Sequence, residues 1–281
     1  MLIPLAERLG RYALRRRGAR THWVSTPLGP VHTYDVPGRG TLPPVVLLHG
    51  IGSNATPFGP LLARLVPHVR RVIAPDYPGH GFSPPSSSLH TPDALFAAMS
   101  AALDALLDEP AVVVGNSLGG AIALHYAIAR PGQVRALVLV SPAGARATDA
   151  EWHDLRQAFG FASRAEAGAF LDRVYHRTPW LARLVAHELP ASMRRRAVLE
   201  LLASATNDHA PTAEALGALA MPVLLVWGRS ERLLPDSHFH YFAKHLPKHA
   251  VVVRPEGFGH CPHSDAPAAL AQRILAFART A

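Results

Sequence analysis

The chain predicts an α/β fold, with a mainly parallel sheet covered by helices on both faces. Three observations carry this. Short continuous apolar runs recur at 45–48, 72–74, 111–114, 137–140, 223–227 and 251–253, and strands apolar on both faces belong in a sheet buried on both sides. Segments of helical periodicity follow them, and a repeated strand-helix order closes into a parallel sheet. Finally, 281 residues that are 49% hydrophobic and 17% charged form a core-building chain, long enough for one large domain with a modest insertion.

In chain order, residues 2–17 read as a short amphipathic helix. Leu2, Leu5, Leu9 and Tyr12 share one face and arginines take much of the rest, with Pro4 in the first turn. Such a face suits an anionic membrane surface, a partner or the protein's own domain. Two β runs, 22–25 and 31–35, joined through Pro27-Leu28-Gly29-Pro30, predict an antiparallel hairpin. Helices are predicted over 91–107, with Thr91 as N-cap and Pro92 in the first turn, over 118–130, stopped by Pro131-Gly132, and over 266–279. Between Arg146 and Ala220 the alternation fails. No strand is evident there, only helical segments rich in aromatics, among them Trp152, Phe170 and Trp180. This predicts a helical cap inserted after the sixth strand, over the sheet edge where open α/β folds bind ligands. The expected organisation is an N-terminal helix at 1–20, a core at 21–145 and 221–281, and a cap at 146–220.

The chemistry concentrates in a few turns. Gly115-Asn116-Ser117-Leu118-Gly119 follows an apolar strand and opens a helix. A sharp strand-to-helix turn leaves no room beside the nucleophile, so glycines flank it, and the helix N-terminus favours a developing oxyanion. A serine hydroxyl needs a base and a group to orient that base. His260, in Gly257-Phe258-Gly259-His260 after the last strand, is the predicted base, with His263 its nearest rival. Glu231, in Gly228-Arg229-Ser230-Glu231 after run 223–227, is the predicted acid; Ser141-Pro142-Ala143 offers no carboxylate at the end of the preceding strand. The backbone amides of Leu118 and Ile51 are the expected oxyanion donors, Ile51 lying in His49-Gly50-Ile51-Gly52.

These blocks, with Asp76-Tyr77-Pro78-Gly79-His80-Gly81-Phe82-Ser83 and Trp227-Gly228-Arg229-Ser230-Glu231, resemble the α/β-hydrolase superfamily, more narrowly its capped bacterial serine esterase and lipase branch. They match in order over about residues 22–281. One departure is Glu231, where the family usually holds Asp. The resemblance implies ester hydrolysis through an acyl-enzyme on Ser117, with a structural role for Asp76. The apolar cap suggests an alkyl or aryl acyl group, and Trp152, Phe170 and Trp180 are candidate pocket residues. Ser117 speaks against the dehalogenase and epoxide hydrolase chemistries, which need an aspartate nucleophile. Two alternatives stay open: a carbon–carbon bond hydrolase of the ring-fission-product type, and a ligand-binding hydrolase-fold protein without turnover.

No cofactor is expected, since Gly50-Ile51-Gly52 lacks the third glycine of a dinucleotide fingerprint. No metal is expected either, because the pairs His238 with His240 and His260 with His263 lack a third ligand. A net charge of +8, almost all arginine, fits either anionic surfaces or a GC-rich coding bias. Basic runs with interleaved aromatics are absent, so nucleic acid is not an expected partner. The expected partner is a small-molecule ester, and the oligomeric state is open. A single cysteine, Cys261, and the lack of a signal or membrane-spanning run favour the cytoplasm.

Overall fold

The computed structural model describes residues 2–281 and contains one eight-stranded sheet. The strands are β1 (Arg20–Val24), β2 (Val31–Pro37), β3 (Val45–Leu48), β4 (Arg71–Pro75), β5 (Ala111–Ser117), β6 (Val134–Pro142), β7 (Val223–Val226) and β8 (Val251–Val253). Their spatial order is β1-β2-β4-β3-β5-β6-β7-β8. The expected hairpin is present, and β2 also runs antiparallel to β4, with Thr33 opposite Pro75; every other pairing is parallel.

Why the central strands read as unbroken apolar runs is visible in their packing. Along β3, Val46 and Leu48 enter one core cluster and Val45 and Leu47 the other, and β5 divides likewise between Val113 and Val112. Each face is covered by helices, so neither side chain of an alternating pair meets water. Each such Val or Leu contributes about 1.5–3 kcal/mol by burial. The first face packs α3 (Pro92–Leu106), α4 (Leu118–Ala129) and α11 (Asp236–His245); the second packs α2 (Gly59–Leu65) and α13 (Pro267–Thr280). Thr91 caps α3 as expected, its hydroxyl accepting from Ala94 N at 3.2 Å.

Between β6 and β7 the described chain is helical: α5 (Asp149–Phe159), α6 (Arg164–Val174), α7 (Trp180–Leu184), α8 (Leu189–Met193), α9 (Arg196–Ser204) and α10 (Ala213–Gly217). Reciprocal capping boxes, Thr148 with Glu151 and Ser163 with Glu166, start α5 and α6. Phe159, Phe161, Leu171, Val174, Met193 and Val198 give these helices a small core of their own, joined by Leu233. The short α12 (Pro262–Asp265) follows the last strand. At the other end lies α1 (Leu2–Arg16); Met1, part of the expected N-terminal unit, lies outside the described residues. No described helix is long and apolar enough to cross a membrane.

Candidate active site

Ser117 is the last residue of β5 and caps α4, with φ 57° and ψ −122°. A positive φ at a non-glycine residue costs energy and persists only where the surroundings enforce it. Here they do. A Cβ at Gly115 would lie 2.1 Å from Gly119 O, and one at Gly119 would lie 2.2 Å from Leu48 O. Strand β3, the turn and α4 are therefore packed backbone to backbone, which is why both flanking positions are glycine.

The loop after β3 also passes close to the serine. A Cβ at Gly50 would sit 3.3 Å from Ser117 Cβ, so Ile51 follows directly beside the serine. The loop is held from below: the Tyr77 hydroxyl donates to His49 O at 2.7 Å, and the two rings stack at 3.8 Å. Asp76, fully buried, accepts from Ala55 N at 2.8 Å and Phe82 N at 3.1 Å, and His32 Nδ1 lies 3.1 Å from it. These bonds give Asp76 a structural task, joining the loop after β3 to the turn after β4.

Glu231 and His260 come together. His260 Nδ1 lies 2.8 Å from Glu231 Oε2, and both side chains are almost fully buried. The other carboxylate oxygen accepts from Leu233 N at 2.8 Å and Leu234 N at 3.0 Å. Burial opposes the charge on Glu231, but His260, the Ser141 hydroxyl and the Leu234 amide outweigh it and hold the carboxyl below its ordinary range. Ser141, at the end of β6, has the other positive φ of a non-glycine residue, 40°.

One side chain ties the histidine loop to the serine turn. Asn116 Nδ2 donates to His260 O at 2.8 Å and to Val140 O at 3.0 Å. The His260 amide donates to Val174 O at 2.8 Å, which anchors the same loop to α6. His263, the rival base, is buried against Phe58, with ring centroids 4.7 Å apart, and burial pushes its pKa down to about 3. Cys261 is half-buried, and burial of its thiol pushes it up and away from thiolate chemistry. Of the remaining histidine pair, His238 is buried and His240 exposed, so they do not converge.

A mostly apolar cavity opens at Ser117. Ile51, Phe96, Leu118, Trp152, Leu155, Phe159, Leu201 and His238 are among its lining residues. Of the three pocket aromatics expected from sequence, Trp152 lines it. Phe170 is not in the lining; its ring packs 5.3 Å from Phe159 and 4.9 Å from Phe161, behind the wall. Trp180 is 73% exposed on α7 and faces water, so the aromatic run at 152–181 does not map onto one pocket. Sequence reasoning missed Phe96, Phe159, Leu201 and Asn116. The first three converge from three different helices, a convergence that periodicity cannot reveal.

Comparison with known proteins adds context to this geometry. A family model described as the alpha/beta hydrolase fold matches residues 43–267. A pimeloyl-[acyl-carrier protein] methyl ester esterase from Xanthomonas campestris pv. campestris is 35% identical over 262 residues, covering 86% of this chain and 98% of the relative. Among solved structures, a membrane phospholipase A described as a bacterial virulence factor is 25% identical, with TM-score 0.81 over 100% of this chain and 92% of its own. A 2-hydroxy-6-oxo-6-phenylhexa-2,4-dienoate hydrolase from Rhodococcus shares the fold at 21% identity, with TM-score 0.79 over 93% of this chain and 99% of its own.

Proposed function

The chain belongs to the α/β-hydrolase fold family, on its bacterial esterase branch, and from that premise we propose that it cleaves carboxylic esters through an acyl-enzyme on Ser117. The observation that carries this reading is the buried 2.8 Å pair of His260 and Glu231, held beside the strained serine turn by Asn116. A carboxylate accepts hydrogen bonds only, so Nδ1 must donate to it, leaving Nε2 as the base.

The steps follow from these roles. His260 Nε2 takes the Ser117 proton as the hydroxyl attacks the ester carbonyl. The amides of Leu118 and Ile51 stabilise the tetrahedral oxyanion, and Glu231 stabilises the imidazolium. The alcohol leaves with the proton from His260, and water hydrolyses the acyl-enzyme by the same route. Residues 146–220 act as a cap whose α5 and α9 close the apolar cavity over an alkyl or aryl acyl group, while 21–145 and 221–281 form the catalytic core. The methyl ester named for the Xanthomonas relative points to small alcohol leaving groups here as well.

The test is hydrolysis of p-nitrophenyl esters from acetate to palmitate, with Ser117→Ala as control, alongside labelling by an organophosphonate. Activity and labelling that both vanish in Ser117→Ala support the proposal. A folded protein inert toward all the esters but active on a vinylogous diketone acid is instead a carbon–carbon hydrolase. One that neither labels nor turns over is a binding protein.

A further inference from the structure

An amphipathic helix that packs only on its own domain buries its apolar stripe. Helix α1 does the reverse. Leu2, Leu5, Leu9 and Tyr12, spaced to share one face, are all exposed, Leu9 by 59% and Tyr12 by 62%. The side turned to the domain carries polar groups. Glu7 accepts from Asn54 Nδ2 at 3.0 Å, and the Arg11 guanidinium lies 4.4 Å over the Phe82 ring. Leu14 is the one buried residue of the helix.

A second apolar group stands next to it. Trp180, Leu181 and Leu184 on α7 are exposed, and the turn Ala186–Glu188 follows at once. The Glu188 carboxylate accepts from the amides of Leu2 and Ile3, so it caps the start of α1 and clamps it to the end of α7. Among the described residues, seven of the thirteen exposed large hydrophobic side chains lie on these two helices.

We propose that the outward stripe of α1 and the tip of α7 form one docking face for an anionic lipid bilayer. Charge decides the occupant. Arg8, Arg15 and Arg16 flank the stripe on α1, and Arg177 lies just before Trp180, all of them exposed. A second copy of the chain docking face to face would set these arginines against their own equivalents. A bilayer with acidic headgroups takes the leucines and aromatics into its interface and pairs the arginines outside it. A 15-residue helix is about 22 Å long, so it lies in the surface and does not span it.

Vesicle flotation tests this, using phosphatidylcholine alone and phosphatidylcholine mixed with phosphatidylglycerol. Its readout is independent of ester hydrolysis. The full chain should float with the phosphatidylglycerol vesicles, at least about tenfold less with phosphatidylcholine alone, and be released by added salt. Leu5→Glu combined with Leu9→Glu should lower partitioning roughly a hundredfold, with turnover of a short soluble ester unchanged. Trp180→Glu should lower partitioning about tenfold. No flotation with either vesicle, or flotation that survives the double substitution, overturns the proposal. So does a dimer, seen by light scattering, that the double substitution dissolves. Flotation indifferent to Trp180→Glu overturns the part assigned to α7.

Discussion

Glu231 receives His260 Nδ1 on one carboxylate oxygen and two backbone amides, of Leu233 and Leu234, on the other. The two halves of the carboxylate thus have separate duties. Glu231→Gln keeps the oxygen that the amides need, so the loop should stay folded. Its NH₂ group, however, would meet Nδ1 and force the opposite imidazole tautomer, with a proton on Nε2 where the base must accept one. We expect kcat to fall by about 10³ to 10⁴ with little change in the unfolding midpoint. Glu231→Asp, one methylene shorter, cannot reach both partners fully and should fall between. Near-normal turnover of the Gln variant would remove Glu231 from the catalytic set.

Asn116 precedes the proposed nucleophile but works through its side chain. Its amide joins Val140 O on β6 to His260 O, two buried carbonyls. Asn116→Ala should remove both bonds, at about 1–3 kcal/mol of stability. With the histidine loop loosened, kcat should fall roughly ten- to a hundredfold while KM changes little. Urea unfolding and steady-state kinetics on the same preparation separate the two effects. A variant that loses stability but keeps full kcat would give Asn116 a purely structural role.

How far the sequence was legible differs between parts of the molecule. The buried strands announced themselves, because residues such as Val45 to Leu48 face helices on both sides and must be apolar throughout. The last residues of β5 did not, since Gly115, Asn116 and Ser117 are polar or small yet belong to the ladder. Their burial is imposed by close backbone approach, which leaves glycine as its trace but not an apolar run. Ser117, His260 and Glu231 stand out as candidates through turn chemistry at strand ends. The cavity wall was not: Trp152 and Trp180 look alike in sequence, but one lines the cavity and the other faces water from a five-residue helix too short to show a period. For α1 the stripe was plain and its direction was not, because amphipathicity says that two faces differ and not which one the domain takes.

Leu201, on α9, is buried in the cavity wall opposite residues of the core. Pocket shape discriminates between acyl chains by the space left at such positions. Leu201→Ala should move the preferred p-nitrophenyl ester to a longer chain, and Leu201→Trp to a shorter one. The ratio of kcat/KM between neighbouring chain lengths should change about tenfold in each case. An unchanged optimum in both variants would place the acyl group elsewhere and leave the wall contributed by α9 without a role in selectivity.

Buried histidines should lower stability in acid, three of them most strongly. Burial pushes His80 and His263 down to about 3 and His238 to about 4, against an ordinary value near 6.5. Folded, all three are neutral near pH 5; unfolded, all three bind a proton there. Each therefore favours the unfolded chain as pH falls from about 6.5 toward its folded value, and has no effect above that window. These three protons alone contribute a slope of about 4 kcal/mol lost per pH unit around pH 5, and burial lowers His49 and His125 in the same direction. Stability from urea unfolding, measured from pH 7.5 down to 4.5, should decline at least that steeply. His263→Leu, which removes one titrating site, should reduce the slope by about 1.4 kcal/mol per unit. A stability profile that stays flat through this window would mean that these imidazoles accept protons in the folded state and that water reaches them there.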